Sequence, residues 1–215
     1  AAADADADDE KEAAAAAAQD AEAWLKTSVS RAADDVAKLN IFVVSARNLS
    51  DAVQLSTNLA SLIDAAAVDG GPPGHGGTPE EISNAVTLIR AAIVGAGGVS
   101  AAVSMIRLPE ECGGLAVVGR RGGKNEAAVA SAAVAAGAAL LARLCCAAGA
   151  DGKSCLAEMR MDDGFGAISR MLACEYPRPS PRAVADVCAV IVAAVEDSVR
   201  AARAAIQAGL IPVLQ

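Results

Sequence analysis

The chain has 215 residues and a net charge of −8, and 54% of its residues are hydrophobic although only 2% are aromatic. This length accommodates one domain with a core or a row of several repeat units. About a quarter of the chain is alanine, the best helix former and a poor strand former, so the composition favours packed helices. Basic patches and aromatic rows are absent from the sequence, so we expect no nucleic-acid partner.

The sequence also bears on membrane insertion and compartment. The uncharged stretch Ala127–Ala142 covers only 16 residues and is mostly alanine, so we expect no transmembrane segment. The chain begins with acidic residues and without methionine, which suggests a fragment or a processed form. The six cysteines lack metal-ligand spacing and favour a reducing intracellular compartment, the cytoplasm. Because His75 is the only histidine, we expect a solvated loop residue and no metal or other cofactor.

The acidic charge is concentrated at the amino terminus, where residues 1–40 hold ten acidic and four basic side chains. We interpret residues 1–11 as a solvated acidic tail and residues 12–40 as one long amphipathic helix. Trp24 begins an apolar stripe on this helix that ends at Leu39, and the stripe requires a covering surface. We therefore expect the helix to dock across the remaining helices or on a partner, and Trp24 is a candidate contact.

The remainder, residues 41–215, alternates helical periods with glycine and proline breaks. Residues 69–78 form a loop, after which Thr78, Pro79 and Glu81 constitute a capping box that opens a helix. Residues 109–126 form a glycine-rich insertion, and the strand candidates 41–44 and 115–118 have no pairing partner. Helices are predicted over 12–39, 51–68, from 79, 99–108, 126–148, 154–161, 165–175, 182–196 and 198–208.

A short junction between helices recurs three times, with small residues closing one helix and an apolar residue opening the next. The copies are Ala96–Ser100, Asp162–Gly166 and Ala208–Pro212. Phe165 and Ile211 are 46 residues apart, within the roughly 40–47 residues of armadillo and HEAT units. The previous interval is longer, and the insertion at 109–126 accounts for nearly all of the excess.

The segment Ala205–Leu214, with its Ala-Gly-Leu-Ile-Pro junction, resembles the turn of armadillo repeats. The resemblance covers about 79–215, is weaker over 51–68 and is absent before residue 39. It implies an all-α fold, a right-handed superhelix of stacked repeats preceded by the long helix, with the last repeat incomplete at residue 215. The resemblance also implies a non-enzymatic scaffold that binds other proteins, within a multi-subunit complex.

The family's peptide-binding members carry an asparagine in the third helix of each unit. The matching positions here hold Arg143 and Ala194, and Asn58 is the candidate left in the earlier unit. An asparagine ladder is therefore incomplete, which favours a flat or helix-in-groove contact over capture of an extended peptide. Asn58 and Arg143 are candidate partner-binding residues.

Two further segments carry candidate chemistry. Arg120, Arg121 and Lys124 place three positive charges on a glycine-rich arm that could contact an acidic partner or simply solubilise the loop. Residues 147–154 satisfy a relaxed phosphate-loop pattern, but the pattern follows a helix, so we interpret it as a turn with Ser154 as the N-cap. The alternatives to a scaffold are an acidic module that binds a basic protein and an enzyme of unrecognised type.

Overall fold

The computed structural model describes residues 2–44, 49–111, 124–147, 150–174 and 179–210. Within these ranges all regular structure is helical, as the composition predicts, and no residue is in a strand. The helices are α1 Ala2–Val44, α2 Leu49–Asp69, α3 Pro79–Gly95, α4 Gly98–Glu111, α5 Lys124–Cys145, α6 Ala150–Met161, α7 Gly164–Ala173, α8 Pro181–Asp197 and α9 Val199–Gln207.

The structure corrects several predicted boundaries. Helix α1 begins at Ala2, so the residues interpreted as a tail continue the helix, whose alanines favour that extension. The strand candidate 41–44 is helical and forms the end of α1, since a strand there would have no partner to pair with. The other strand candidate, 115–118, lies outside the described residues. The predicted insertion is shorter, because α4 reaches Glu111 and α5 begins at Lys124.

Helix α3 begins where the local sequence predicts. The Thr78 hydroxyl accepts a hydrogen bond from the Glu81 amide at 3.3 Å, and the Thr78 amide donates to Glu81 Oε2 at 2.7 Å. Pro79 occupies the first turn, where its missing N–H costs nothing. Both polar ends of the capping box are satisfied within four residues, so this helix start needs no tertiary contact.

The three aligned junctions share one backbone feature. Gly97, Asp163 and Gly209 occupy the same aligned position, and all have left-handed φ angles of 88°, 55° and 76°. In all three junctions, the amide of the residue just before the left-handed one donates a hydrogen bond to the carbonyl four residues back. The pairs are Ala96 to Ala92, Asp162 to Glu158 and Ala208 to Ala204. The left-handed residue stops one helix and redirects the chain into the next.

Asp163 is the only non-glycine residue with a positive φ among those described, and this conformation is strained for a residue with a Cβ. Its carboxylate accepts a hydrogen bond from Arg170 Nη2 at 3.0 Å and lies 3.9 Å from Arg107 Nη2. Arg107 belongs to α4 and Arg170 to α7, so the side chain at this turn links the two helices and offsets part of the strain.

Helix α5 lies at the centre of the packing and contacts α2, α4, α6 and α8. Its backbone approaches α4 closely at Gly137, where an added Cβ would lie 2.7 Å from Met105 Cβ and 3.0 Å from the Ala102 carbonyl oxygen. Leu140, Leu141 and other side chains of α5 are buried in the hydrophobic core. The many alanines and this glycine allow helices to approach closely around α5.

The carboxyl-terminal half of α1 packs against α2, α3 and α4. Val36 and Leu39 are buried, and Trp24 is partly buried against the core, as the apolar stripe predicts. Asn40 Nδ2 also donates to the Ala96 carbonyl at 3.3 Å, which ties α1 to the first junction. The long helix is therefore covered within the chain over this half, whereas residues 14–20 are exposed.

Candidate partner-binding surface

Arg143 lies near the end of α5 and binds Asp64 of α2 through two of its guanidinium nitrogens. Nε donates to both Asp64 oxygens at 2.8 and 2.9 Å, and Nη2 donates to Oδ2 at 2.6 Å. Nη1 donates to the Ala139 carbonyl at 3.1 Å. A forked contact of this kind fixes the plane of the guanidinium group. Arg143 therefore joins two helices in addition to presenting a positive charge at the surface.

The surroundings of Arg143 are acidic on two sides. The hydrogen bonds that Arg143 donates to Asp64 raise the pKa of Arg143, partial burial opposes the rise, and the charges of Asp64 and Asp186 add to it. Asp186 is a buried residue of α8 whose Oδ1 lies 3.3 Å from Arg182 Nε. Its Oδ2 is buried and accepts no hydrogen bond from the described residues. The α5 surface at Arg143 thus lies between carboxylates of α2 and α8.

Helix α5 presents a row of small side chains to solvent on the same side as Arg143. We call this row the α5 stripe, and it comprises the exposed or half-buried alanines Ala128, Ala132, Ala135 and Ala139. Their spacing of three and four residues places them along one face of the helix. Since alanine projects little beyond the backbone, this surface admits the close approach of another helix.

The structure brings together Trp24 and Asn58, two candidates from separate helices. Both line a cavity of about 250 Å³ between α1 and α2. Asn58 Oδ1 accepts a hydrogen bond from Gln54 Nε2 at 2.9 Å, so the amide is engaged within its own helix. The remaining lining residues are Ser28, Arg31, Asp35, Leu59, Ser61 and Leu62. The cavity is small and mixed in polarity, and Arg143 does not line it.

The basic arm of the predicted insertion falls almost wholly outside the part of the chain that the structure describes. Arg120 and Arg121 lie outside the described residues, and Lys124 begins α5 with its side chain outside the description. Its role in partner contact therefore stays a prediction from the sequence.

The relaxed phosphate-loop segment leads into α6, and α5 precedes it. Ser154 lies inside α6, because the helix begins earlier, at Ala150, so the predicted N-cap is wrong. Gly152 lies against the carbonyl of Ala147, where no Cβ would fit. Lys153 Nζ is 3.1 Å from Asp197 Oδ1 of α8. The close approach of the backbone at Gly152 explains the glycine, and Lys153 forms an ion pair with Asp197, so neither residue requires a bound phosphate to explain it.

The thiols around this segment are poor nucleophiles. Burial, reinforced by nearby acidic groups, raises the pKa of Cys155 to about 11 and raises the pKa of Cys145 well above its ordinary value. The pKa of Cys146 is raised as well, mainly by partial burial. A thiol with a raised pKa carries little thiolate at neutral pH, which disfavours thiolate chemistry at these three positions. Across the described ranges, no group of acidic, histidine and cysteine side chains could hold a metal ion.

Sequence reasoning missed the residues that determine how Arg143 is used. Asp64 is 79 positions away in the chain, and no local pattern connects the two. Ser56 was missed too, and its hydroxyl donates to the Ala136 carbonyl at 3.0 Å between α2 and α5. The one signal in the sequence was a serine among the apolar residues of the predicted helix 51–68, and it did not identify Ala136 as the hydrogen-bond acceptor.

One helix in the described part of the chain is long and apolar enough to cross a membrane by composition. The window Ala128–Cys145 has a mean hydropathy of 1.8, and 56% of it is buried among the other helices. Core helices of soluble proteins have the same properties, so this is weak evidence, and the expected absence of a transmembrane segment stays a prediction.

Comparison with known proteins identifies no family. No protein-family model matches the chain, and neither a curated protein nor a solved structure matches it significantly. The armadillo resemblance therefore depends on the residue pattern alone.

Proposed function

We propose that the chain is a non-enzymatic protein-interaction scaffold built as an armadillo-like stack of three-helix units. The observation that carries the proposal is the junction that recurs with the same backbone conformation. Gly97, Asp163 and Gly209 are left-handed at the aligned position, and this shared conformation supports a repeated helical unit. In this arrangement α3, α4 and α5 form one unit, α6, α7 and α8 form the next, and α9 opens a third.

The helix contacts support this division. Third helices would pack in the order α2, α5 and α8, and α5 contacts both of the others. Second helices α4 and α7 are in contact, and among the first helices α6 contacts both α3 and α9. Neighbouring units in a repeat protein interact through equivalent elements, so this pattern is the expected one.

The third helices also supply the surface proposed to bind partners. The α5 stripe is exposed at Ala128 and Ala132 and half-buried at Ala135 and Ala139, and its alanines favour a partner helix that packs closely rather than an extended peptide. Arg143 is held by Asp64, so it offers less to a peptide backbone than an asparagine at this position would. The proposed partner is therefore an amphipathic helix of another protein, and a multi-subunit complex in the cytoplasm remains the predicted setting.

A selection from a displayed library of helical peptides tests this function. Peptides that bind the immobilised chain should lose at least about tenfold in affinity for A132R, since a long charged side chain blocks the α5 stripe. The matched control is A157R, which changes an exposed alanine of α6 in the same way. Circular dichroism should show that both variants keep the helical fold.

Two results would contradict the proposal. One is a selection that yields no binding peptide, and the other is binding that A132R leaves as strong as A157R does. The enzyme alternative is tested separately by nucleotide titration: we expect no ATP binding, and an affinity abolished by K153A would show that residues 147–154 are a phosphate site.

A further inference from the structure

Helix α8 has one face that no described helix covers. Arg182, Ala185, Ala189, Val192 and Glu196 are all exposed, and each follows the previous one by three or four positions. Residues at this spacing are neighbours on one side of a helix, so the five side chains form a continuous row from the first turn of α8 to its last. We call these five residues the α8 row. The opposite side of α8 carries its buried residues, and the helix packs against α5 and α9.

The two ends of the α8 row carry opposite charges. Arg182 Nε lies 3.5 Å or less from Asp186, at 3.3 Å from Oδ1, but the Arg182 side chain is 76% exposed, so its outer nitrogens can bind a second carboxylate. Glu196 is exposed and forms no ion pair with a described residue. Lys153 lines the same cavity as Glu196 but pairs with Asp197. The row is therefore positive at its amino-terminal end and negative at its carboxyl-terminal end.

The α8 row is complementary to itself when a second α8 runs antiparallel to the first. Ala189 is the midpoint, since Arg182 and Glu196 are each seven positions, or about two turns, away from it. With Ala189 opposite its own copy, Arg182 of each chain lies opposite Glu196 of the other. Ala185 then lies within one position of Val192 of the other chain, so a smaller side chain meets a larger one. Parallel helices in register would instead bring like charges together.

We propose that two copies of the chain form a dimer through their α8 rows, antiparallel about a twofold axis that passes beside Ala189. Both copies use the same surface, so the contact is closed and adds no third copy. The arrangement also places Glu196 of each copy near the amino-terminal end of the other α8, where the helix dipole is positive. Five residues per copy are far fewer than the roughly 20–30 of a standard interface, so the dimer is weak.

Sedimentation velocity at increasing protein concentration, up to about 1 mM, tests the dimer. The wild-type chain should approach the mass of two copies and should not exceed it. A189R places two arginines opposite each other at the twofold axis, and E196R places an arginine opposite Arg182, so each should weaken association by about tenfold or more. The matched controls are A157R and R160E, which change exposed residues of α6 and should dimerise like the wild type.

A charge exchange tests the pairing itself. R182E/E196R reverses both ends of the row, so each end again meets its opposite and the wild-type affinity should return to within about threefold, above the level of E196R. R182E also removes the ion pair with the buried Asp186, so circular dichroism must show that the exchange variant keeps the helical fold. A189R and E196R leave that ion pair in place, and they decide the proposal by themselves if the exchange variant unfolds.

Three results would overturn the proposal. The first is a wild-type chain that stays monomeric up to about 1 mM or that grows past two copies. The second is an A189R or E196R variant that associates as tightly as the wild type, since the contact would then lie elsewhere, such as at the exposed Arg200 and Arg203 of α9. The third is a folded exchange variant that associates no better than E196R. These outcomes do not depend on peptide binding to the α5 stripe, so the dimer and the scaffold function can fail separately.

Discussion

Replacing Gly137 by alanine tests the closest helix contact around α5. Two effects oppose each other in G137A. Alanine in a helix interior is about 1 kcal/mol more favourable than glycine, which stabilises the variant. The added Cβ would lie 2.7 Å from Met105 Cβ and 3.0 Å from the Ala102 carbonyl oxygen, and overpacking of this kind costs about 1–3 kcal/mol. The neighbouring backbone has little room to yield, so we expect a net loss of about 1 kcal/mol.

Gly95 provides the matched control. It is the last residue of α3, and a Cβ added there meets nothing within 4 Å. G95A should therefore gain up to about 1 kcal/mol, so the two variants should differ by about 2 kcal/mol. For a chain of this size each kcal/mol shifts the midpoint of thermal unfolding by about 2–4 °C, which circular dichroism resolves.

The result that would refute the reasoning is a G137A variant as stable as the wild type, or one stabilised to the same extent as G95A. Either outcome would mean that α4 and α5 do not pack at the distance the structure gives. Urea titration provides the second measurement, because a shift in the midpoint at constant slope reports stability rather than a change in the unfolded state.

Three further predictions concern local sites. T78A should destabilise the chain by about 1 kcal/mol through loss of the N-cap. Hydrogen bonds from Thr78, chiefly from its backbone amide, lower the pKa of Glu81. Their stabilising effect is therefore present above pH 4.5 and is lost as the pH falls through the lowered pKa. Carboxyl NMR titration should show that T78A, which removes the hydroxyl but keeps the amide, raises this pKa part of the way back. Cys146 is exposed whereas Cys145 is buried, so mass spectrometry after brief alkylation should find Cys146 modified first, and equal labelling would contradict the burial. Trp24 is partly buried, so its fluorescence should shift to longer wavelength on unfolding; an emission spectrum unchanged by denaturant would mean that α1 is not covered.

Local chemistry accounts for the predictions that were confirmed. The capping box at Thr78 and Glu81 is complete within four residues, so the sequence alone located the start of α3. The helix starts that were wrong depend on weaker signals. Ser154 has the residue type of an N-cap, but α6 begins at Ala150, and α1 begins at Ala2 because alanine continues a helix without a cap.

The sequence by itself determined that the chain is helical and that Gly97, Asp163 and Gly209 end helices at equivalent positions, because propensity, capping and turn conformation depend on neighbouring residues. Only the tertiary structure decided which side chains meet. Arg143 could have been a free cation, and its pairing with Asp64 across 79 residues became visible once α2 and α5 were packed together. Distances between helices depend on how whole faces fit, and no local pattern encodes that fit.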